Sequence, residues 1–283
     1  MNFKNLEEKC NYFRGLTDYR VMPNGYTLAM LDGRAFSRLI KNKYRLPFDD
    51  AFINIMDETA KYLLYNIQGA KFAYVQSDEI SILITDWDEE GTDSCFGFRL
   101  CKMQSIFASM AASKFNQLTL INDIWGNAYD RTKVDAEGTL YKVKDAVEII
   151  RNQKLAEFDC KVWSVPDWGS ALGHFVWRQN DCTRNSKQQT AQSVFSHKQL
   201  MGKSADEQIE MCKALNVFWD DFDPGKKYGR LIYREPVEKE TTYTNKKTGE
   251  TNTVKFTRNE FIVHGAQPFG YEDNVIRTLI PKK

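Results

Sequence analysis

Two aspartates stand where the chain could carry out chemistry on phosphates. Asp32 follows the apolar run 26–31, which is typical of a buried strand, and precedes the turn-prone Gly33. Asp78 lies in the polar segment 76–79, between two further strand-like runs. Mg²⁺ usually binds one or two carboxylates together with substrate phosphates. Two such ions could activate an attacking oxygen and stabilise a leaving one. Ordinary turn chemistry is the open alternative for both segments.

The elements that would bring these acids together follow the order strand–helix–strand–strand–helix–strand. The strands are predicted at 26–31, 71–75, 80–85 and 158–165, with helices at 49–69 and from about 100 to 115. This is the order of the ferredoxin-like split βαβ unit, which nucleic-acid polymerases use as a palm. In such a sheet the first strand neighbours the third, so Asp32 and Asp78 could share one edge. Glu79 would point to the opposite face from Asp78.

The region after the palm predicts helices and a hairpin. A long helix is expected at 168–200, a capped helix at 204–215 and a β-hairpin at 228–264. The predicted fold class is therefore α+β. A palm-like catalytic domain spans residues 1–166, and a helical and β-hairpin region spans 167–283 and packs on the palm. Residues 119–155 follow no clear pattern.

The composition excludes several classes of protein. The chain has 283 residues, and 39 Lys and Arg against 38 Asp and Glu leave a net charge of +1, which argues against a histone-like, uniformly basic binder. Without an apolar run of about 18 residues or a signal-peptide core, no membrane span is expected. Six cysteines without a CxxC pair indicate reduced thiols, and the three histidines lack zinc-site spacing. We expect a cytoplasmic protein.

Longer strings surround both acids and continue beyond the palm. They are MLDGRAFSR at 30–38 with PFD at 47–49, AYVQSDEIS at 73–81, WRQNDCTRNS at 177–186 and FSHKQL at 195–200. In this order, over nearly the whole chain, they resemble the tRNA-histidine guanylyltransferase family. The last two strings resemble its bacterial and archaeal guanylyltransferase-like branch. The eukaryotic branch has a His-Ile-Asn-Asn type string where this chain has the Trp-Arg-Gln helix.

The resemblance implies extension of RNA in the 3′-to-5′ direction. A tRNA 5′ end is activated, by adenylylation or by an existing triphosphate, and the 3′-hydroxyl of an incoming NTP then attacks it. ATP and GTP or another NTP are the implied substrates, tRNA is the implied partner, and a homotetramer is the implied assembly. The resemblance further implies that Asp32 and Asp78 hold two Mg²⁺ ions, with the carbonyl of Gly33 as a ligand. Glu79 ranks below Asp78 as a ligand and completes the predicted catalytic set of Asp32, Asp78 and Glu79.

A nucleotide-binding set follows from the same resemblance. Arg99 and Lys102 match basic positions that contact the triphosphate, and Ser77 matches a phosphate-contacting serine. The open alternative for the two cations is a solvated basic face. The full predicted set is Gly33, Arg34, Ala35, Phe36, Ser37, Arg45, Ser77, Asp78, Arg99 and Lys102.

Two positions depart from the family pattern. Ser37 replaces a histidine, and Leu46 stands where the family usually has a lysine, with Arg45 one residue earlier. We expect altered activation or nucleotide preference from these changes.

Four polar residues at helical spacing are predicted to bind RNA. They are Arg178, Asp181, Arg184 and Asn185. Arginine suits phosphate and asparagine reads base edges, so contact with the tRNA 5′ end or the templating strand is the functional interpretation. A buried salt-bridge ladder is the alternative. Small basic clusters at 41–45 and 226–227 could add a local cationic surface.

Template-dependent repair of 5′-truncated tRNA is the leading functional hypothesis. Non-templated addition of G to tRNA-His is the nearest alternative. The departures at Ser37 and Leu46 also allow a palm that binds nucleotide or RNA without turnover. A nucleotide cyclase-type palm would share the two acids but does not predict the strings after residue 167.

Overall fold

The computed structural model describes residues 1–39, 43–88, 93–128, 147–244, 251–270 and 274–283. Lys41 of the first basic cluster, the centre of the predicted hairpin at 245–250 and much of the unassigned segment 119–155 lie outside these residues. No helix within the described ranges is long and apolar enough to cross a membrane.

An antiparallel sheet of six strands forms the centre of the described structure, in the order β4-β1-β3-β2-β5-β6. The strands are β1 Tyr26–Gly33, β2 Ala70–Gln76, β3 Glu79–Ile84, β4 Phe158–Val165, β5 Arg230–Thr244 and β6 Thr251–Gly265. The first four strands take the 4-1-3-2 arrangement of the split βαβ unit. The predicted α+β fold with a ferredoxin-like split βαβ sheet is thus confirmed.

The helices cover both faces of this sheet. They are α1 Leu6–Gly15, α2 Phe36–Leu39, α3 Asp50–Asn66, α4 Leu100–Ala128, α5 Trp168–Gln192, α6 His197–Leu200, α7 Ala205–Lys213, α8 Pro224–Lys227 and α9 Ile276–Leu279. The carboxylate of Asp49 caps α3 by accepting from the amides of Ala51 at 2.9 Å and Phe52 at 3.0 Å. Asp167 caps α5 in the same manner.

The two faces of the sheet differ in what they bury. Ala29 and Leu31 of β1 join the apolar core beneath α3 and α4, whereas Leu28 joins the core beneath α5. Because strand side chains alternate between faces, Asp32 shares the α5 face with Leu28. Its register partners on the neighbouring strands are Glu79 and Asp159. Three acidic side chains therefore form a row across that face at the end of the strands.

The region after residue 166 is continuous with the palm sheet. Residues 230–233 of β5 pair with residues 72–75 of β2, and the rest of β5 pairs with β6. The hairpin therefore widens the sheet through its buried first residues and extends past it.

The prediction of one helix over 168–200 was wrong at its end. Helix α5 ends at Gln192, and the short helix α6 begins after Ser196. The reason is a local capping box, in which the side chain of Gln199 accepts from the amide of Ser196 at 2.9 Å and its hydroxyl at 2.7 Å.

Candidate active site

The ends of β1 and β3 hold the two predicted metal-binding acids. Asp32 is the next-to-last residue of β1, and Asp78 lies in the two-residue turn between β2 and β3. The amide of Gly33 donates to the carbonyl of Asp78 at 3.2 Å, which ties the turn to the end of β1. Ser77 takes a left-handed backbone with φ of 45° to make this turn. We call Asp32 and Asp78 the acidic edge.

Burial and mutual repulsion make ionisation of the acidic edge unfavourable. Burial, followed by the charge of Asp32, raises the pKa of Asp78 to about 6, although a hydrogen bond from Ser77 opposes the shift. Burial and the charge of Asp159 raise the pKa of Asp32, against the weaker effects of Arg178 and Lys161. Desolvated like charges are stabilised by a bound cation. The acidic edge therefore fits a divalent metal ion.

The available donors match Mg²⁺ more closely than a soft metal. No group of three or more His, Cys, Asp or Glu side chains in the described part of the chain is arranged to hold a metal ion. A cation here would depend on two carboxylates, a backbone carbonyl and oxygens from its substrate. Such a donor set is typical of Mg²⁺, which is bound by few carboxylates and keeps substrate phosphates and water as ligands.

Glycine at position 33 is required by packing. A Cβ there would overlap the ring of Phe36, which is only 2% exposed. The Phe36 ring lies 5.1 Å from the rings of both Phe115 and Phe158. Because the ring anchors the start of α2 against Gly33, the segment 34–37 turns sharply beside the acidic edge, and Ala35 takes a φ of 55°.

Glu79 faces a buried arginine. Its carboxylate accepts from Arg178 Nε at 2.8 Å and Nη2 at 2.6 Å, and Gln76 donates to it at 3.2 Å. Arg178 is 9% exposed and also contacts Asp181 at 2.9 Å. Burial works to lower the pKa of Arg178, but its hydrogen bonds to Glu79 outweigh that effect and raise it. Arg178 and Asp181 are therefore arranged as a partly buried salt bridge, which was the alternative to RNA binding for these two residues.

His174 continues this buried polar group one turn earlier on α5. Its Nε2 lies 3.1 Å from the hydroxyl of Ser81, and its ring contacts that of Trp163 at 5.2 Å. Burial, aided by the charge of Arg178, lowers the pKa of His174 to about 4, so the imidazole is neutral at pH 7. We call Glu79, Ser81, His174 and Arg178 the inner polar cluster.

A cleft of about 570 Å³ opens at the β2–β3 turn. Four residues predicted to bind nucleotide or RNA line it, together with Leu46, and they come from three separate parts of the chain. These cleft residues are Ser37, Arg45, Ser77 and Asn185. The cleft therefore includes both positions that depart from the family pattern.

Arg230 is a cleft residue that the sequence did not indicate. Its Nε donates to Asp57 at 2.6 Å, and both side chains are 8% exposed. Its Nη1 donates to the carbonyl of Gly225 at 3.3 Å, while the buried Nη2 has no hydrogen-bond partner among the described residues. An unpartnered buried donor in a cleft wall suits a ligand acceptor. No local sequence pattern pairs positions 57 and 230.

Asp159 was also missed. The strand 158–165 was predicted, but only the antiparallel register places Asp159 opposite Asp32. Like charges in this position are unfavourable unless another charge compensates them. An acid at the second position of a predicted strand was visible in the sequence. Which residue lies opposite it depends on the pairing of the strands, which the sequence does not show.

Other predicted site residues lie away from the cleft lining. Arg99 precedes α4 and donates to Asp18 at 2.9 Å, while Lys102 Nζ lies 4.9 Å from the Phe96 ring centre. The exposed guanidinium of Arg34 contacts Glu157 at 2.6 Å. Arg184 is also exposed and pairs with Asp181. Arg34 and Arg99 are thus each paired with one surface carboxylate, Glu157 and Asp18 respectively.

Comparison with known proteins places this site in a family. The sequence model described as "tRNAHis guanylyltransferase" (Thg1) matches residues 7–166, more than half of the chain. A solved structure described as "Bacterial tRNA(HIS) Guanylyltransferase (Thg1)-Like Protein in complex with ATP" superposes with a TM-score of 0.76 at 26% identity, covering 99% of this chain and 100% of that one. A structure of a protein with the same description in complex with GTP gives 0.68 at 25% identity, with 97% and 98% covered.

A curated relative extends the comparison. "Uncharacterized protein R259" of Acanthamoeba polyphaga mimivirus is 25% identical over 244 residues, which are 82% of this chain and 78% of that protein. The family match covers the whole split βαβ sheet with its acidic edge, and the structural match extends over the helices and hairpin that follow. The chain belongs to the tRNA-His guanylyltransferase (Thg1) family and is a guanylyltransferase-like nucleotidyltransferase.

Proposed function

We propose that this protein adds nucleotides to the 5′ end of tRNA, in the 3′-to-5′ direction, and that its main task is template-dependent repair of 5′-truncated tRNA. In the reaction, the 3′-hydroxyl of an incoming NTP attacks the activated 5′ phosphate of the RNA. A new O3′–P bond forms, and AMP or pyrophosphate leaves, depending on how the 5′ end was activated. ATP and GTP or another NTP are the substrates.

The observation that carries the proposal is the position of the acidic edge beside the cleft. Asp78 follows Ser77 in the turn, and Ser77 lines the cleft of about 570 Å³. Ligands in that cleft would therefore place phosphates next to two carboxylates that have no cationic hydrogen-bond partner in the described structure. Phosphoryl transfer depends largely on such positioning and charge compensation.

Asp32, Asp78 and the carbonyl of Gly33 are the groups that would hold two Mg²⁺ ions. Such ions supply Lewis-acid stabilisation of the charge on the reacting phosphate oxygens. The chain's own contribution is to keep the two carboxylates close and partly desolvated, which the tie between Gly33 and the Asp78 carbonyl achieves.

The cleft walls supply donors for a nucleotide. Ser77, which directly precedes Asp78, and Arg45 line the cleft and can donate to phosphate oxygens. The unpartnered Nη2 of Arg230 offers one further donor. Leu46 cannot replace the charge of the lysine that the family usually has, so Arg45 takes over phosphate binding in this proposal.

Repair is our first candidate because the strings at 177–186 and 195–200 resemble the guanylyltransferase-like branch and not the eukaryotic one. Non-templated addition of G to tRNA-His is the second candidate because the matching family model is described as a tRNAHis guanylyltransferase. The two activities differ in their substrate and can be separated directly.

The test offers the purified protein two substrates with ATP, Mg²⁺ and each labelled NTP. One is a tRNA that lacks its first nucleotide, and the other is a full-length tRNA-His. Repair predicts incorporation of the nucleotide complementary to the opposite position of the acceptor stem. Efficient addition of G to tRNA-His alone would support the second candidate.

Two variants accompany this assay. Asp78→Ala should abolish incorporation, whereas Asp206→Ala, which removes an exposed acid on α7, should leave it unchanged. Incorporation that survives Asp78→Ala would contradict the site assignment. Tight binding of NTP and tRNA by the unaltered chain without turnover would support a binding palm instead.

Two further features remain proposals, the first implied by the resemblance and the second by the predicted order of elements. One is the homotetramer, which a light-scattering mass measurement tests. The other is the division into a catalytic domain of residues 1–166 and a packed region of residues 167–283. Expression of residues 1–166 alone, followed by a cooperative-unfolding measurement, tests whether the first region folds without β5.

A further inference from the structure

An exposed indole with a fixed orientation lies on α5. Trp177 is 55% exposed, an unusual fraction for so large a ring. The guanidinium of Arg178 lies 4.5 Å from the ring centre, and the ring of His174 lies at 5.9 Å. Because Arg178 is itself held by Glu79, the indole has a rigid support on one side. The remaining surface is open to solvent.

This indole is close to the acidic edge. Arg178 bridges from α5 to Glu79, which is the register partner of Asp32. The charge of Arg178 also acts on the carboxylate of Asp32, as does that of Lys161 on β4. Since His174 contacts Trp163 on β4, this side of α5 faces β4. Trp177 and the exposed Lys161 thus flank the acidic edge on the β4 side.

The nucleotide cleft lies on a different side of the same helix. Its α5 lining consists of Cys182, Asn185, Ser186, Gln189 and Gln192, and neither Trp177 nor Lys161 belongs to it. The acidic edge is therefore bordered by a cleft at one side and by a surface with an aromatic ring and a cation at the other. Transfer between an NTP and an RNA end requires both substrates to reach the same two carboxylates, one from each side.

We propose that Trp177 is a stacking platform for an unpaired nucleobase at the end of the RNA, with Lys161 binding a backbone phosphate beside it. The inference rests on the proposed function and deepens it, because it assigns the second reactant to the β4 side. Aromatic side chains stack on nucleobases of any sequence, and a positive charge nearby attracts the backbone. Rigid support by Arg178 reduces the loss of side-chain freedom on binding.

The test uses a short RNA hairpin with 2-aminopurine as an unpaired nucleotide next to its 5′ end. Stacking on an indole quenches the fluorescence of this base. Binding to the unaltered chain should quench it, and Trp177→Ala should remove the quenching and weaken RNA binding about tenfold. Trp177→Phe should retain an intermediate affinity. The dissociation constants of ATP and GTP should stay within twofold in both variants.

Tyr65→Ala is the matched control. Tyr65 is an aromatic ring that is 72% exposed, and the guanidinium of Arg234 lies 5.8 Å from its ring centre. It sits at the end of α3 that leads into the start of β2, whereas the acidic edge follows the other end of that strand. This variant should bind and quench the RNA as the unaltered chain does.

Three results would overturn the inference. The first is unchanged quenching and affinity in Trp177→Ala, and the second is an unaltered chain that binds the RNA without quenching. The third is quenching of free 2-aminopurine riboside triphosphate that depends on Trp177, which would assign the ring to the NTP. These binding measurements need no turnover, so failure of the polymerase proposal, seen as absent incorporation by the unaltered chain, is distinguishable from each of them.

Discussion

The acidic edge and the inner polar cluster adjoin each other where β1 ends and β3 begins, but the charged groups of the two sets have different partners. Glu79 is paired with Arg178 through two hydrogen bonds, and His174 is neutral beside Ser81. Burial raises the pKa of Glu79 and also that of Asp78, the residue before it. Arg178 opposes the shift at Glu79, whereas the charge of Asp32 adds to the shift at Asp78. Neighbouring acids in sequence thus belong to two different electrostatic environments.

The difference indicates which charges serve the fold and which await a ligand. A buried ion pair whose hydrogen bonds are satisfied holds α5 against β3 and needs nothing further. A desolvated carboxylate without a cation costs free energy unless a cation arrives. We therefore expect substitutions in the acidic edge to affect activity more than stability, and substitutions in the inner polar cluster to do the reverse.

Asp78→Asn should have the largest effect. It keeps the side-chain size but removes a ligand charge, so we expect nucleotide incorporation to fall about 1,000-fold, equivalent to about 4 kcal/mol in the transition state. Because the carboxylate is desolvated, the free energy of unfolding without divalent ions should stay equal or rise. Single-turnover incorporation and urea unfolding measure the two quantities. A loss of stability that parallels the loss of activity would contradict the comparison.

Glu79→Gln should lower the free energy of unfolding by about 3 kcal/mol. It leaves the guanidinium of Arg178, which is 10% exposed in its side chain, without its main counter-charge. Urea unfolding checks this value. The double variant with Arg178→Met should recover part of the loss, since no unpaired charge then remains buried. If the single and double variants are equally destabilised, the pair does not act as a unit.

The pH dependence of stability should have opposite signs in the two regions. Protonation of His174, with its pKa lowered to about 4, favours the unfolded chain. Above pH 6.5 the buried neutral imidazole does not reduce stability. As the pH falls from 6.5 towards 4, the unfolded chain takes up the proton first, and the free energy of unfolding decreases by up to about 3 kcal/mol. Asp78, with its pKa raised to about 6, destabilises the folded chain above pH 6, and this effect disappears as the pH falls towards 3.8.

Urea unfolding from pH 4 to pH 8 in a chelator separates these contributions. His174→Gln should have a shallower loss of stability towards acid than the unaltered chain. Asp78→Asn should be the more stable protein above pH 6 and approach the unaltered chain near pH 4. Parallel curves for all three proteins would show that neither group titrates as described.

An exposed ion pair should have the smallest effect. Lys255 and Glu240 lie 2.8 Å apart on the hairpin, with side chains 74% and 58% exposed. Solvent screens such a pair, so Glu240→Gln should change the free energy of unfolding by less than about 0.5 kcal/mol. The same urea titration measures it. A change as large as that of Glu79→Gln would mean that charge pairing, and not burial, decides stability in this protein.

Local patterns in the sequence determined the palm. Apolar runs of strand length, the helix cap at Asp49 and the short polar segment before Glu79 predicted the order of elements, and the split βαβ sheet confirms it. These signals act over a few residues, because strand alternation and capping depend on neighbours in the chain. The strings around Asp32 and Asp78 also identified the family.

Only the tertiary structure decided which charges meet. Asp159 lies opposite Asp32 through strand register, Arg178 reaches Glu79 across 99 positions of the chain, and Arg230 reaches Asp57 across 173. Burial and the partners of each group set its charge state, and both quantities arise from packing between distant segments. The sequence shows that acids and arginines are present, but the fold decides which of them are neutralised and which stay ready to bind a cation.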